Sequence, residues 1–243
     1  MNLNKLFLTN NDCYKAGKKI TVKGIMVHST GANNPWLKRY LPDDGKIGKN
    51  QYGNHWNTAR PGGIQVCVHG FIGKLADGSV ATYQTLPWNH RGWHAGGSAN
   101  NTHIGFEICE DGLSDSTYFN KVYKEAVKLC AYLCKEYGLT EKDIICHSEG
   151  YKKGIASNHG DVMHWFPKHG KSMDTFRSDV KKLLSGNTTA AVTELTTVND
   201  IVWELAHRGI ISDSALWLKK LEEDTNSYWL ARKTANYLRN KNV

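Results

Sequence analysis

The 243-residue chain has no apolar run near the length a bilayer requires, which excludes a helical membrane protein. Its opening stretch, MNLNKLFLTNNDCYK, has one early lysine and a three-residue apolar patch, which is not a Sec-type leader. The expected product is therefore made in the cytoplasm without a signal peptide and without stable membrane insertion. The six cysteines include no CxxC pair, which argues against a structural zinc knuckle. No HExxH occurs, so a hydrolytic metal site must collect its ligands from separate strands and loops. Carboxylates are not clustered as a two-metal phosphodiesterase site needs.

What the chain does have is positive charge. The formal net charge is +8, and from Asn187 onward basic and acidic residues balance at seven each. The whole excess sits in the first three quarters, where it favours polyanions: nucleic acid, an anionic membrane or an acidic wall polymer. Apolar residues make up 40% of the chain, enough for a substantial core. Cys130 and Cys134 share a helix face, and Cys67, Cys109 and Cys146 lie in apolar strand-like runs. With Cys13, all six read as reduced thiols.

KGIMVHST (23–30) is a short apolar run ending in turn residues, and it reads as a buried strand. Residues 31–63 are rich in Gly, Asn, Pro and aromatics without a sustained period. A loop of that length inside a domain is more often a binding surface than filler. IQVCVHGFIGK and SVATYQTLP read as strands joined at LADG, and HIGFEICE as another. From Phe119 to Tyr137, apolar residues recur at three-four spacing, which predicts a helix stopped by Gly138. KDIICHS predicts a last strand and SMDTFRSDVKKLL a closing helix. The predicted class is α/β, a central mixed β-sheet flanked by helices, followed by a small all-α domain.

Residues 1–184 are expected to form the first domain, 185–197 a linker of small polar residues, and 198–243 a helical bundle. Val198, Ile201, Val202 and Leu205 mark the first of its three short helices. The other two each open on a serine suited to capping. Trp203, Trp217 and Trp229 are expected either to stack on sugars or to fill that bundle's core.

His28 and His147 each stand where a predicted strand meets a loop, positions suited to a metal ligand or to a capped histidine. Glu107 lies between Phe106 and Ile108. A carboxylate in an apolar strand is costly unless it lines a cleft, where burial suits it to general-base work; the alternative is an edge glutamate facing solvent.

Five motifs, MVHST, VHGFIG, RGWHAG, IGFEICE and CHSEG…SNHGDV, occur in the order found in type 2 N-acetylmuramoyl-L-alanine amidases. That group includes phage lysins, bacterial amidases and peptidoglycan recognition proteins, and the chain resembles it over roughly residues 20 to 183. The resemblance implies a zinc enzyme with His28, His147 and Asp161 as ligands and Glu107 as base. His159 stands where the family carries an oxyanion-stabilising lysine; a three-histidine site with His159 as third ligand is the alternative. His94 and Trp93 of the WHAG segment are expected to meet substrate. His69 is expected either to line the same cleft or to be a satisfied core histidine. His55, His90, His103, His164 and His169 are expected to be structural or solvent-facing, and MHWFP to form a wall under the ligand loop.

The implied reaction is hydrolysis of the amide between N-acetylmuramic acid and L-alanine in bacterial peptidoglycan, in the manner of a phage endolysin acting on the wall after release. The helical tail would attach to the wall or form a homodimer. A non-catalytic peptidoglycan-recognition module and a metal-dependent nuclease are the rival classes. The ligand set with Glu107 argues against the first, and the scattered carboxylates argue against the second and against a nucleic-acid partner.

Overall fold

A strand covered on both faces has to be apolar along its length, and Gly24–Ser29 is buried at every position. The computed structural model, which describes residues 1–185, 197–207 and 210–241, places this strand, β2, inside a six-stranded sheet. The others are β1 (Leu3–Lys5), β3 (Gly70–Lys74), β4 (Val80–Gln84), β5 (His103–Ile108) and β6 (Ile144–Cys146). Their order is β1-β4-β3-β5-β2-β6. Only β3 and β4 pair antiparallel, across the expected LADG turn, so the sheet is mixed as predicted.

The chain divides into two compact units, Met1–Leu184 and Ser185–Val243. In the first, one sheet face is covered by helix α2 (Ser116–Tyr137) with α4 (Met173–Leu184) against it. The Asp115 carboxylate accepts the backbone N–H groups of Thr117 and Tyr118, which starts α2 three residues before its first predicted apolar position. Gly138, at φ 65°, ends it. Phe119, Val122, Ala126, Leu129, Cys130 and Leu133 pack on Ile25, Val27, Ile104, Phe106 and Ile108. Trp165 and Phe166 of MHWFP are fully buried in the same layer, Trp165 edge-on to Phe119 at 5.2 Å. They anchor the loop that precedes them.

Among the described residues of this unit, no long helix covers the opposite face. Residues of the 31–63 segment close part of it, with only short 3₁₀ turns at Leu37–Arg39 and Pro61–Gly63. Leu37, Tyr40, Leu41 and Ile47 are buried there against Phe71 and Tyr83, and Tyr40 stacks on Phe71 at 5.0 Å. The expected strand 64–74 is shortened, since β3 begins only at Gly70. Its front half leaves Ile64 65% exposed and joins Cys67 to Trp93 by two backbone hydrogen bonds of 3.1 and 2.9 Å. β1 and the five-residue helix α1 (Asp12–Ala16) were not foreseen. All six cysteines are free and buried.

Helix α3 (His147–Lys152) follows β6 directly. The Glu149 carboxylate caps it by accepting the Cys146 N–H at 3.0 Å and receives both Arg177 NH groups at 3.0 Å. The end of β6 is thereby tied to α4.

The second unit holds α5 (Val198–His207), α6 (Ser214–Glu223) and α7 (Thr225–Lys241). Ile201, Val202, Leu205, Leu221, Ala231 and Ala235 make its core, with Trp217 packed on them and Trp229 49% exposed. Asp213 rather than a serine caps α6, and α7 begins at Thr225, before Ser227. The expected linker falls on residues 186–196, which lie outside the described residues, as does the Trp203 side chain.

Candidate metal centre and cleft

Three adjacent parallel strands end together. In the register of β2 with β5, His28 stands opposite Glu107; in that of β2 with β6, Val27 stands opposite Cys146, so His147 follows beside His28. Carboxyl ends of parallel strands are where open α/β sheets hold their ligands. Period-two alternation sends Ile25 and Val27 to the helices and His28 to the other side, and it separates Phe106 from Glu107 in the same way.

The loop before Trp165 supplies the third group. Asp161 Oδ2 lies 3.1 Å from His28 Nδ1 and 3.7 Å from His147 Nδ1, and the two Nδ1 atoms are 3.1 Å apart. Among the described residues this is the one His/Cys/Asp/Glu group compact enough to hold a metal ion. His159 is not part of it. Its Nδ1 instead meets Ser157 Oγ at 3.0 Å, and its ring lies 4.6 Å from that of His147.

The far nitrogen of each histidine is engaged. With Nδ1 of His28 turned to the centre, its Nε2–H donates to His94 Nδ1 at 3.0 Å, and the His94 Nε2–H then donates to the His103 carbonyl at 3.2 Å. The Nε2–H of His147 likewise meets Ser157 Oγ at 3.2 Å. Outer partners of this kind fix a ligand's tautomer and ring orientation. Each needs a glycine: a Cβ on Gly105 would lie 2.4 Å from His94 Nδ1, and one on Gly96 2.4 Å from Ser157 Oγ.

Burial depresses the His147 imidazole to about 4, with His28 adding to the effect, so it stays neutral and able to donate a lone pair. Burial drives His94 well below the usual histidine range for the same reason. Burial works to raise Asp161, but the His28 hydrogen bond and the electrostatic pull of the two neighbouring histidines outweigh it and hold the carboxylate down. Glu107 goes the other way: burial, with Asp161 and Glu110 adding to it, pushes its carboxyl well above the usual range. Its Oε2 is a buried acceptor with no hydrogen-bond partner.

A cleft of about 520 Å³ opens over these groups. His28, Glu107, His147, His159 and Asp161 line its base, and Ile64, Val66 and Trp93 its rim. Trp93 lines the cleft, with the Arg91 guanidinium over its ring at 4.5 Å. His94 reaches the cleft, but both of its nitrogens are committed, which leaves it no atom to hold substrate.

His69 is corrected to the core reading. It is fully buried and does not line the cleft; its Nε2–H donates to the His90 carbonyl at 2.7 Å, and its Nδ1 accepts the Gly105 N–H at 3.0 Å. His164 faces solvent as expected, and it also lines the cleft. Its Nε2 is 2.8 Å from Glu110, a carboxylate only 3% exposed that also accepts the Gly31 N–H at 3.1 Å. Sequence reading missed Ser157, Glu110 and His164. Glu110 carried the same signal as Glu107, a carboxylate closing an apolar strand.

Residues 18–164 match the family described as N-acetylmuramoyl-L-alanine amidase. A curated relative, N-acetylmuramoyl-L-alanine amidase XlyA of Bacillus subtilis (strain 168), is 40% identical over 68 residues, covering 27% of this chain and 22% of XlyA. The match thus spans about a fifth of that relative's length. The solved catalytic domain of XlyA superposes with a TM-score of 0.51 at 23% identity, over 74% of this chain and 99% of that one. Staphylococcus aureus hydrolase AmiA, solved in complex with its ligand, gives 0.51 at 17% identity, over 77% and 84%. At these identities the two structures show a shared fold.

Proposed function

The chain belongs to the N-acetylmuramoyl-L-alanine amidase family, and from that premise we propose that it is a zinc-dependent, endolysin-like hydrolase of the amide between N-acetylmuramic acid and L-alanine in bacterial peptidoglycan. The observation that carries this reading is the triangle of His28 Nδ1, His147 Nδ1 and Asp161 Oδ2 at the base of an open cleft.

The residues fit a zinc ion. Two neutral imidazoles and one carboxylate are a donor set that leaves a fourth position open. Three lone pairs converging this closely repel one another unless a cation lies between them. When bound, zinc supplies Lewis-acid polarisation of the scissile carbonyl and a lowered pKa for water.

The rest of the chemistry is assigned to the chain's own groups. Glu107, its Oε2 unpartnered, takes the proton of the attacking water and returns it to the leaving alanine nitrogen. His159 donates toward the carbonyl oxygen as charge develops there, the place the family gives to lysine. His94 and Ser157 hold the two ligand histidines in their tautomers, so His94 is assigned to positioning rather than to substrate. Trp93, Ile64 and Val66 offer an apolar wall to the lactyl and alanine methyl groups.

Residues 1–184 are assigned the catalysis and the helical unit attachment to the wall, with half-exposed Trp229 as a sugar platform; a homodimer through α5–α7 is the alternative. Among the described residues no helix is long and apolar enough to cross a membrane.

Purified walls incubated with the protein test the reading. New N-terminal alanine without new reducing sugar, abolished by a chelator and restored by zinc, is the expected result. Walls left uncut by the zinc-loaded protein would overturn the catalytic reading and favour a recognition module.

A further inference from the structure

The +8 charge and the 31–63 segment beyond Gly31 both remain unused by the cleft. The segment is held firmly, with Leu37, Tyr40, Leu41 and Ile47 buried beneath it. Above that anchor lies a groove of about 340 Å³, lined by Lys38, Arg39, Lys49, Tyr52 and the carboxamides of Asn34, Asn50, Gln51 and Asn54. No carboxylate lines it.

The frame is built rather than incidental. Arg39 Nη1 donates to the Asn54 carbonyl at 2.9 Å, and Asn50 Nδ2 donates to the Arg39 carbonyl at 3.3 Å and to Asn54 Oδ1 at 3.0 Å. The nearest acids in sequence are turned to the backbone. Asp43 accepts the Gly45 and Gly48 N–H groups, while Asp44 accepts those of Lys46 and Ile47 and the Tyr83 hydroxyl. Among the described residues Lys38, Arg39 and Lys49 enter no salt bridge. Tyr52 stands 78% exposed at the edge.

We infer that this groove is a second binding site, for an anionic wall polymer of phosphodiester-linked sugar alcohols. The cations match the phosphate oxygens, the carboxamides both donate to and accept from hydroxyls, and the phenol covers the carbon skeleton. A polymer seated there holds the catalytic unit on the wall independently of the helical unit. The inference rests on the amidase reading only in placing the protein at a wall.

Binding of the full chain to purified poly(glycerol phosphate) tests it. Lys38→Glu/Lys49→Glu is expected to weaken binding about tenfold at moderate salt, against less than about twofold for the control Lys152→Glu/Lys153→Glu, which changes net charge equally at the β6 edge. Equal losses in the two variants would reduce the groove to net charge and overturn the proposal. So would no polymer binding by the parent chain, or equally strong binding of a single-stranded DNA oligomer that the same groove variant abolishes. Amidase activity on walls stripped of phosphodiester polymers by hydrofluoric acid is read alongside. Retained activity in the groove variant separates the two readings, and activity absent from the parent chain indicts the amidase reading alone.

Discussion

On β5, Ile104, Phe106 and Ile108 turn to the helices, while Gly105 and Glu107 turn to the cleft side; on β2, Ile25 and Val27 stand against His28 in the same way. The helix-side residues are fully buried and apolar, and they meet a long capped helix. The cleft side of the same two strands meets loops and gathers buried groups that need partners. One face therefore contributes cohesion, and the other spends some of it on holding a carboxylate and two imidazoles away from water. Alternation at a period of two residues lets neighbours in one strand serve both ends with little interference.

The sharpest way to break that comparison is to exchange one residue on each face. Glu107→Gln is expected to lower turnover about a thousandfold while metal content and melting temperature hold, measured by peptide release, elemental analysis and calorimetry. A large melting shift would show the cleft face to be structural after all. Phe106→Ala is expected to do the reverse, costing about 3–5 kcal/mol in denaturant titration while the turnover of folded molecules stays near the parent's.

His69 tests whether buried polarity on the cleft side has a cost without chemistry. Burial holds its imidazole down to about 4 from 6.5. Between those values the unfolded chain takes up a proton that the folded chain refuses, so stability falls as pH drops through that window. The loss should total about 3 kcal/mol, and His69→Gln should flatten that part of the pH–stability curve.

Gly105→Ala sharpens the comparison within one strand, since its Cβ must displace His94 and hence the partner of His28. Metal affinity is expected to fall about 10–100-fold in a chelator competition with the helix-side core unchanged. The smallest effect belongs to His164→Ala. It should raise KM about fivefold at constant kcat, since His164 lines the cleft while Glu110 holds its Nε2.

Much of this was legible before any coordinates. β2, β5 and β6 declare themselves as apolar runs, and His28, Glu107 and His147 stand out because each interrupts or ends one. The long helix follows from its spacing and its glycine stop. Asp161 is different: nothing local marks it, and only the resemblance over the motif order pointed there. Ser157 and His164 escaped because their roles are contacts across many residues of separation, and a serine in a loop looks the same whether or not an imidazole meets it. The overlong strand at 64–74 failed because an apolar rim on a cleft and a buried strand have the same composition. His69 and His28 likewise follow similar apolar runs, and only packing separates the core histidine from the candidate ligand.

The position of β2 also bears on how the protein is made. It ends at Ser29, yet the strands on either side of it begin at His103 and Ile144. During synthesis this strand emerges early and stays without hydrogen-bonding neighbours until β5 and then β6 have followed. Such long-range pairing forms slowly and leaves an apolar edge open to wrong partners. A ligand set that includes Asp161 cannot assemble before that residue has emerged, so a shorter nascent chain carries no complete metal site.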